Sequence, residues 1–119
     1  MHELSMCEAI ARRVLERAAG RRVSRVTVRV GHLRQVVPEA MEFSWEKLTA
    51  TTELDGAVLE IEHVPAVVAC RACGTTTTLA VPVLACADCG SPDVELLRGD
   101  ELLLVSLELA GPGALSEAR

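Results

Sequence analysis

The chain has 119 residues, half of them apolar, and a formal net charge of −5. That length supports one domain, or one small domain with a stapled module, and no apolar run is long enough to cross a bilayer. The acidic balance excludes a broad nucleic-acid footprint, which needs clustered cations to displace counterions.

With one Phe, one Trp and no Tyr, the core has to be built from Val, Leu, Ile and Ala. The start Met1-His2-Glu3-Leu4-Ser5 lacks the basic and apolar regions of a secretory signal. A cytoplasmic location is therefore expected, where thiols stay reduced. Charge is uneven: residues 1–36 carry eight arginines against three glutamates, and residues 37–119 carry four cations against fourteen acids.

In chain order, Ser5-Met6-Cys7-Glu8 reads as a capping box, with Leu4 available as a staple. Apolar residues then recur at Cys7, Ile10, Ala11, Val14, Leu15 and Ala18, one face of a 3.6-residue period, and Gly20 ends the helix. Val26, Val28 and Val30 alternate with Arg25, Thr27 and Arg29, which predicts a half-buried strand over 23–31. Pro38 suits the first turn of a second helix running to about Thr51, with Ala40, Met41, Phe43, Trp45 and Leu48 on its buried side. After the Asp55-Gly56 turn signal, Val58 to Val64 reads as a strand with Leu59 and Ile61 opposite Glu60 and Glu62.

From Pro65 the texture changes. Residues 65–98 hold four cysteines, a run of four threonines and three prolines, without helical period. Glu101 to Leu109 then returns to strand character, with Leu103, Val105, Leu107 and Leu109 on one side. The expected fold is α+β: two helices on a three-stranded mixed sheet, formed by residues 1–64 plus 99–109 and interrupted by an inserted zinc-ribbon module at 65–98. Residues 110–119, with Gly111-Pro112-Gly113, read as a mobile tail.

Cys70, Cys73, Cys86 and Cys89 form C-x2-C-x12-C-x2-C. Two residues between thiolates let one turn aim both sulfurs at one point, and two such turns make the tetrahedral S4 cage of structural Zn2+. Glycine follows each pair, where the chain has to leave the turn. A disulfide-stapled module and a rubredoxin-like iron centre are the competing readings of the same quartet. Four protein ligands leave no open position, so the metal holds structure and carries no reaction.

His2 follows the α-amine by one residue. The amine, the deprotonated His2 amide and the imidazole can chelate one ion through linked rings, and the Glu3 amide or another side chain completes a planar set suited to Ni(II) or Cu(II). Ligation requires deprotonation, so binding weakens as pH falls. A histidine at position 2 is otherwise ordinarily just exposed. No nucleophile elbow, phosphate-binding loop or Ser-His-Asp spacing occurs, and no enzymatic activity is expected.

Met1-His2-Glu3-Leu4-Ser5 together with the inserted cysteine quartet resembles the HypA/HybF family of hydrogenase maturation proteins across about residues 1–109. Val28-Arg29-Val30-Gly31-His32-Leu33, Val37-Pro38-Glu39-Ala40 and Gly99-Asp100-Glu101-Leu102 support the resemblance. It implies a nickel metallochaperone, with His2 the principal Ni2+ ligand, helped by the Met1 amine and the Glu3 backbone, and with Zn2+ on the four cysteines. It also implies a GTPase partner and delivery to the [NiFe]-hydrogenase large subunit, with some members serving urease. His32 departs from the family, where an acidic residue often follows this glycine; it reads as a local substitution or an additional ligand.

Cys7 reads as a small core residue, with a transient nickel contact as the alternative. His63 is a residue of the connection or a ligand linking two metal sites. The arginines from Arg12 to Arg29 read as a solvated face or as a docking surface for an acidic partner. The alternative function is a zinc-ribbon adaptor or nucleic-acid-binding module without nickel; residues 65–98 offer it only Arg71 and Arg98 and no aromatic, so neither nucleic acid nor membrane is an expected partner. The two short connections of the inserted module allow its exchange between protomers, which leaves monomer and homodimer both open.

Overall fold

The computed structural model describes residues 2–110. The elements are α1 (His2–Ala18), β1 (Val23–Gly31), a 3₁₀ turn (His32–Arg34), α2 (Pro38–Thr49), β2 (Val58–Val64), β3 (Val67–Cys70), β4 (Thr76–Thr78), β5 (Val94–Arg98) and β6 (Leu102–Leu109). They form two three-stranded sheets, ordered β2-β1-β6 and β4-β3-β5. Contacts divide the described residues into two compact units: 2–28 with 36–61 and 103–110, and 29–35 with 62–102. Composition had put the change at 65 and 98; the contacts add 29–35, 62–64 and 99–102 to the four-cysteine unit.

In the first unit, α1 buries Met6, Cys7, Ile10, Val14 and Ala18, whereas Ala11 and Leu15, expected on the same stripe, are half-buried and exposed. Its start differs from the expectation. The helix begins at His2, so Ser5 lies inside it and Leu4 is an exposed helical residue. The tie that draws residues 2–4 into the helix is long-range: the Glu3 carboxylate accepts the Val37 N–H at 3.3 Å. An anion in the first turn also suits the positive end of the helix.

Met41, Trp45 and Thr49 form the buried side of α2. Trp45 is 1% exposed, and its indole N–H donates to the Ala57 carbonyl at 2.8 Å. Phe43, expected inside, is 60% exposed and lies under the Lys47 ammonium. The helical period carries position 43 away from the 41–45–49 stripe.

Cys7 is fully buried, and its thiol donates to the Met41 carbonyl at 3.4 Å. Burial, and to a lesser extent the Glu3 charge, raises its pKa to about 11. A thiol whose folded pKa is raised contributes stability below its unfolded value, about 8.5, that is lost as pH rises toward 11. The native chain is therefore expected to lose stability above about pH 9. Its Cys7 should resist a thiol-alkylating reagent at pH 8 until denaturant is added, which mass spectrometry will read directly; ready labelling of Cys7 in the native state would contradict its place in the core.

Arg25 pairs with Glu60, and Arg29 with Glu62, so β1 and β2 advance in the same direction, a pairing that the intervening helix makes possible. Against β6 the order reverses: Gly31 N–H donates to Glu101 and Ala110 N–H to Arg22. The sheet is mixed, as expected. Val26, Val28 and Val30 are buried, whereas Leu103, Val105 and Leu109 stay 36–50% exposed because β6 is an edge strand. Ala110 is tied to Arg22; the rest of the expected tail, 111–119, lies outside the described residues. No helix among the described residues is long and apolar enough to cross a membrane.

The second unit is small. Ala66, Val68 and Leu79 are its buried centre, flanked by Leu33, Val94 and Leu96. β3 pairs antiparallel with both β4 and β5, placing Cys70 opposite Val94. Gly31 and Gly99 meet back to back: a Cβ on Gly31 would run into the Gly99 carbonyl, and one on Gly99 into Ala66. The same approach carries the hydrogen bond from Leu33 N–H to the Gly99 carbonyl at 2.8 Å. Gly31→Ala is therefore expected to destabilise the chain by about 3 kcal/mol through overpacking against backbone. A urea midpoint lowered at unchanged slope will show it; an unshifted midpoint would mean that the two segments part at little cost.

Candidate metal centres

Each cysteine pair sits on a turn of the same construction. Cys70 N–H donates to the Thr75 carbonyl and Gly74 N–H to the Cys70 carbonyl; in the second turn Cys86 N–H donates to Ser91 and Gly90 N–H to Cys86. Gly74 and Gly90 have φ of 80° and 76°, the left-handed conformation that disfavours any side chain. The glycine after each pair was legible in the sequence.

The two turns bring all four Sγ atoms within 4.8 Å of one another. Cys70 and Cys89 are 3.7 Å apart, and Cys73 and Cys86 3.6 Å. A tetrahedron with metal–sulfur bonds of about 2.3 Å has its sulfurs about 3.8 Å apart, so the donor set fits one such ion. Cys70 and Cys86 are buried, and Cys73 and Cys89 are exposed.

Sequence reasoning missed the residues around the sulfurs. Thr75 Oγ1 lies 3.3 Å from Cys73 Sγ and donates to Asp88 Oδ2 at 3.1 Å, tying one turn to the other. The Thr75 side chain and backbone, then Cys86, hold the Cys73 thiol down at about 6. At Cys89 the Ser91 amide pulls the other way, but hydrogen bonding with Cys70, burial and the remaining thiols push it up to about 12. Cys73 thus gives up its proton more readily than Cys89. Arg71 is committed to Asp93 and the Val94 carbonyl.

At the N-terminus, His2 is half exposed on the first turn of α1, with Nε2 3.5 Å from the Glu3 carboxylate. Glu3 is 6% exposed. The Val37 amide, then its own amide, hold its pKa below the ordinary carboxylate range, against the opposing effect of burial. First-turn amides have no acceptor within the helix, and the Glu3 amide faces its own carboxylate instead. Met1 lies outside the described residues. Of the other candidates, Cys7 faces the core, whereas His32 and His63 lie together in the four-cysteine unit, with ring centres 5.5 Å apart. Arg25 and Arg29 are engaged with glutamates across the sheet, which removes them from the arginine surface, while Arg12, Arg13 and Arg17 are exposed along α1.

The family described as hydrogenase/urease nickel incorporation, metallochaperone, hypA matches residues 1–109. A hydrogenase maturation factor HypA of Geotalea uraniireducens is 40% identical over 109 residues, covering 92% of this chain and 99% of that protein. One from a Nostoc species is 36% identical, covering 92% and 96%. The solution structure of the Ni metallochaperone HypA from Helicobacter pylori superposes with a TM-score of 0.64 at 21% identity, over 90% of this chain and 96% of that one, a likeness of fold. With this fold, this four-sulfur cluster and relatives of this identity over nearly its whole length, the chain belongs to the HypA family of hydrogenase maturation factors, which are metallochaperones and not enzymes.

Proposed function

We propose that the chain binds Ni(II) at its N-terminus and delivers it for the maturation of [NiFe]-hydrogenase, with urease as the other nickel enzyme such a donor serves. His2 supplies the principal ligand through its imidazole, joined by the Met1 amine and the Glu3 backbone. The observation that carries this reading is the half-exposed His2 on a helical first turn pinned by the bond from Val37 to Glu3. The pinned turn holds the donor atoms in place, and the exposed imidazole lets the ion leave. A donor needs both.

Cys70, Cys73, Cys86 and Cys89 fit a structural Zn2+, which when bound crosslinks the two turns and leaves no coordination position for a substrate. Nickel binding belongs to the helical domain and zinc to the inserted ribbon. The chain carries no phosphate-binding loop, so directed transfer draws its energy from a GTPase partner, with the hydrogenase large subunit as recipient, in the cytoplasm.

Titrating Ni(II) into the untagged, zinc-loaded chain tests this reading. One tight, saturable equivalent is expected without loss of zinc. Displacement of zinc by nickel, or no saturable binding, would remove the proposal.

A further inference from the structure

The chain has three histidines. With His2 assigned to the nickel site, the remaining two lie against each other although 31 residues separate them. His32 opens the 3₁₀ turn after β1, and His63 sits near the end of β2. Their rings meet edge to face, with centres 5.5 Å apart and planes at 88°. Nε2 of His32 is buried and, among the described residues, has no hydrogen-bond partner in the protein. His63 is exposed.

A buried imidazole nitrogen without a partner carries an uncompensated desolvation cost, and a ring pair explains the packing but not that atom. An ion shared by the two rings would satisfy it. Two imidazoles bound to one ion at about 2 Å and a tetrahedral angle have their ring centres about 5 Å apart, close to the spacing the pair already has. The carboxylate nearest in sequence, Glu62, is turned to Arg29 at 3.2 Å.

We infer that His32 and His63 form a second, low-affinity divalent-metal site in the four-cysteine unit, holding a borderline ion such as Ni(II) through two neutral imidazoles. Imidazole suits nickel, copper and zinc. With only two protein donors, the other coordination positions stay open to water or to a donor atom of an incoming protein. The site is therefore one of passage and not of storage. It goes beyond the N-terminal reading and does not depend on it.

The test uses the full, untagged, zinc-loaded chain carrying His2→Ala, so that His32 and His63 are the only histidines left. Ni(II) is added while both imidazole signals are followed by NMR. The expected result is that the two shift or broaden together and saturate at one ion per chain. Adding His63→Gln, a change at an exposed side chain, should raise the nickel concentration at the midpoint at least about tenfold. A response of His63 alone, a drift without saturation, or a midpoint unmoved by His63→Gln would each overturn the inference and leave a packing contact. Failure of the tight equivalent in the wild-type titration would instead count against the N-terminal site, so the two failures are separable.

Discussion

Replacing His2 by alanine will remove the tight nickel equivalent while zinc content stays unchanged. Among the described residues of the first turn, the imidazole is the strong side-chain donor that stands exposed. The Glu3 carboxylate holds the Val37 amide, and Cys7 is buried against α2 with its thiol on the Met41 carbonyl. Loss of that donor should weaken binding at least about a hundredfold, or about 2.7 kcal/mol. Calorimetric titration of both proteins, with zinc measured in each, reads the effect.

Glu3→Gln is the informative companion. If Glu3 contributes through its backbone, the variant keeps one equivalent and loses only a few-fold in affinity as the first turn loosens; complete loss would move the carboxylate into the ligand set. Because that carboxyl is held below its ordinary pKa, its contribution to folding is present above the unfolded value, about 4.3, and fades as pH falls below it. Glu3→Gln should flatten the acid limb of the stability profile.

Stripping the metal from the cysteine cluster will unfold the four-cysteine unit, and zinc added back will restore it. The buried centre of this unit is Ala66, Val68 and Leu79. So small an apolar core cannot offset the entropy of ordering the 48 residues of this unit without a staple. A structural zinc of this type contributes about 10–16 kcal/mol of apparent binding energy at neutral pH, available only to the folded site. Chelation should abolish hydrogen-exchange protection at Val67, Val68 and Ala69, the residues of β3 that pair with both neighbouring strands. Trp45, buried in the other unit with its indole on Ala57, should keep its emission. Undiminished protection after chelation would mean that the ribbon folds on hydrogen bonds alone. Cys86→Ser should mimic chelation, since Cys86 is a buried member of the cluster.

The family resemblance and the metal chemistry were legible because both lie in short stretches of chain. A strand of period two over Val23–Gly31, a proline opening α2 and paired cysteines two residues apart are local patterns, and the structure keeps each of them. Less legible was everything that depended on a partner far along the chain. The capping box at Ser5 was the reasonable local reading, but the Val37 amide, 34 residues from Glu3, starts the helix at His2 instead. Phe43 and the apolar side of β6 looked like core by composition and are exposed by position, one off the buried stripe and the other on a sheet edge.

By itself, then, the sequence determined which side-chain donors are available and how they are spaced: an imidazole at position 2, and two thiol pairs on glycine-terminated turns. Covalent geometry over two to five residues settles such matters before any folding. Only the tertiary structure decided that the two thiol pairs converge within 4.8 Å, that the Glu3 carboxylate holds the Val37 amide, and that His32 and His63 touch. Those approaches depend on strand pairing in the one unit and on the packing of α1 against α2 in the other, and they form only when segments distant in the chain bury apolar surface together.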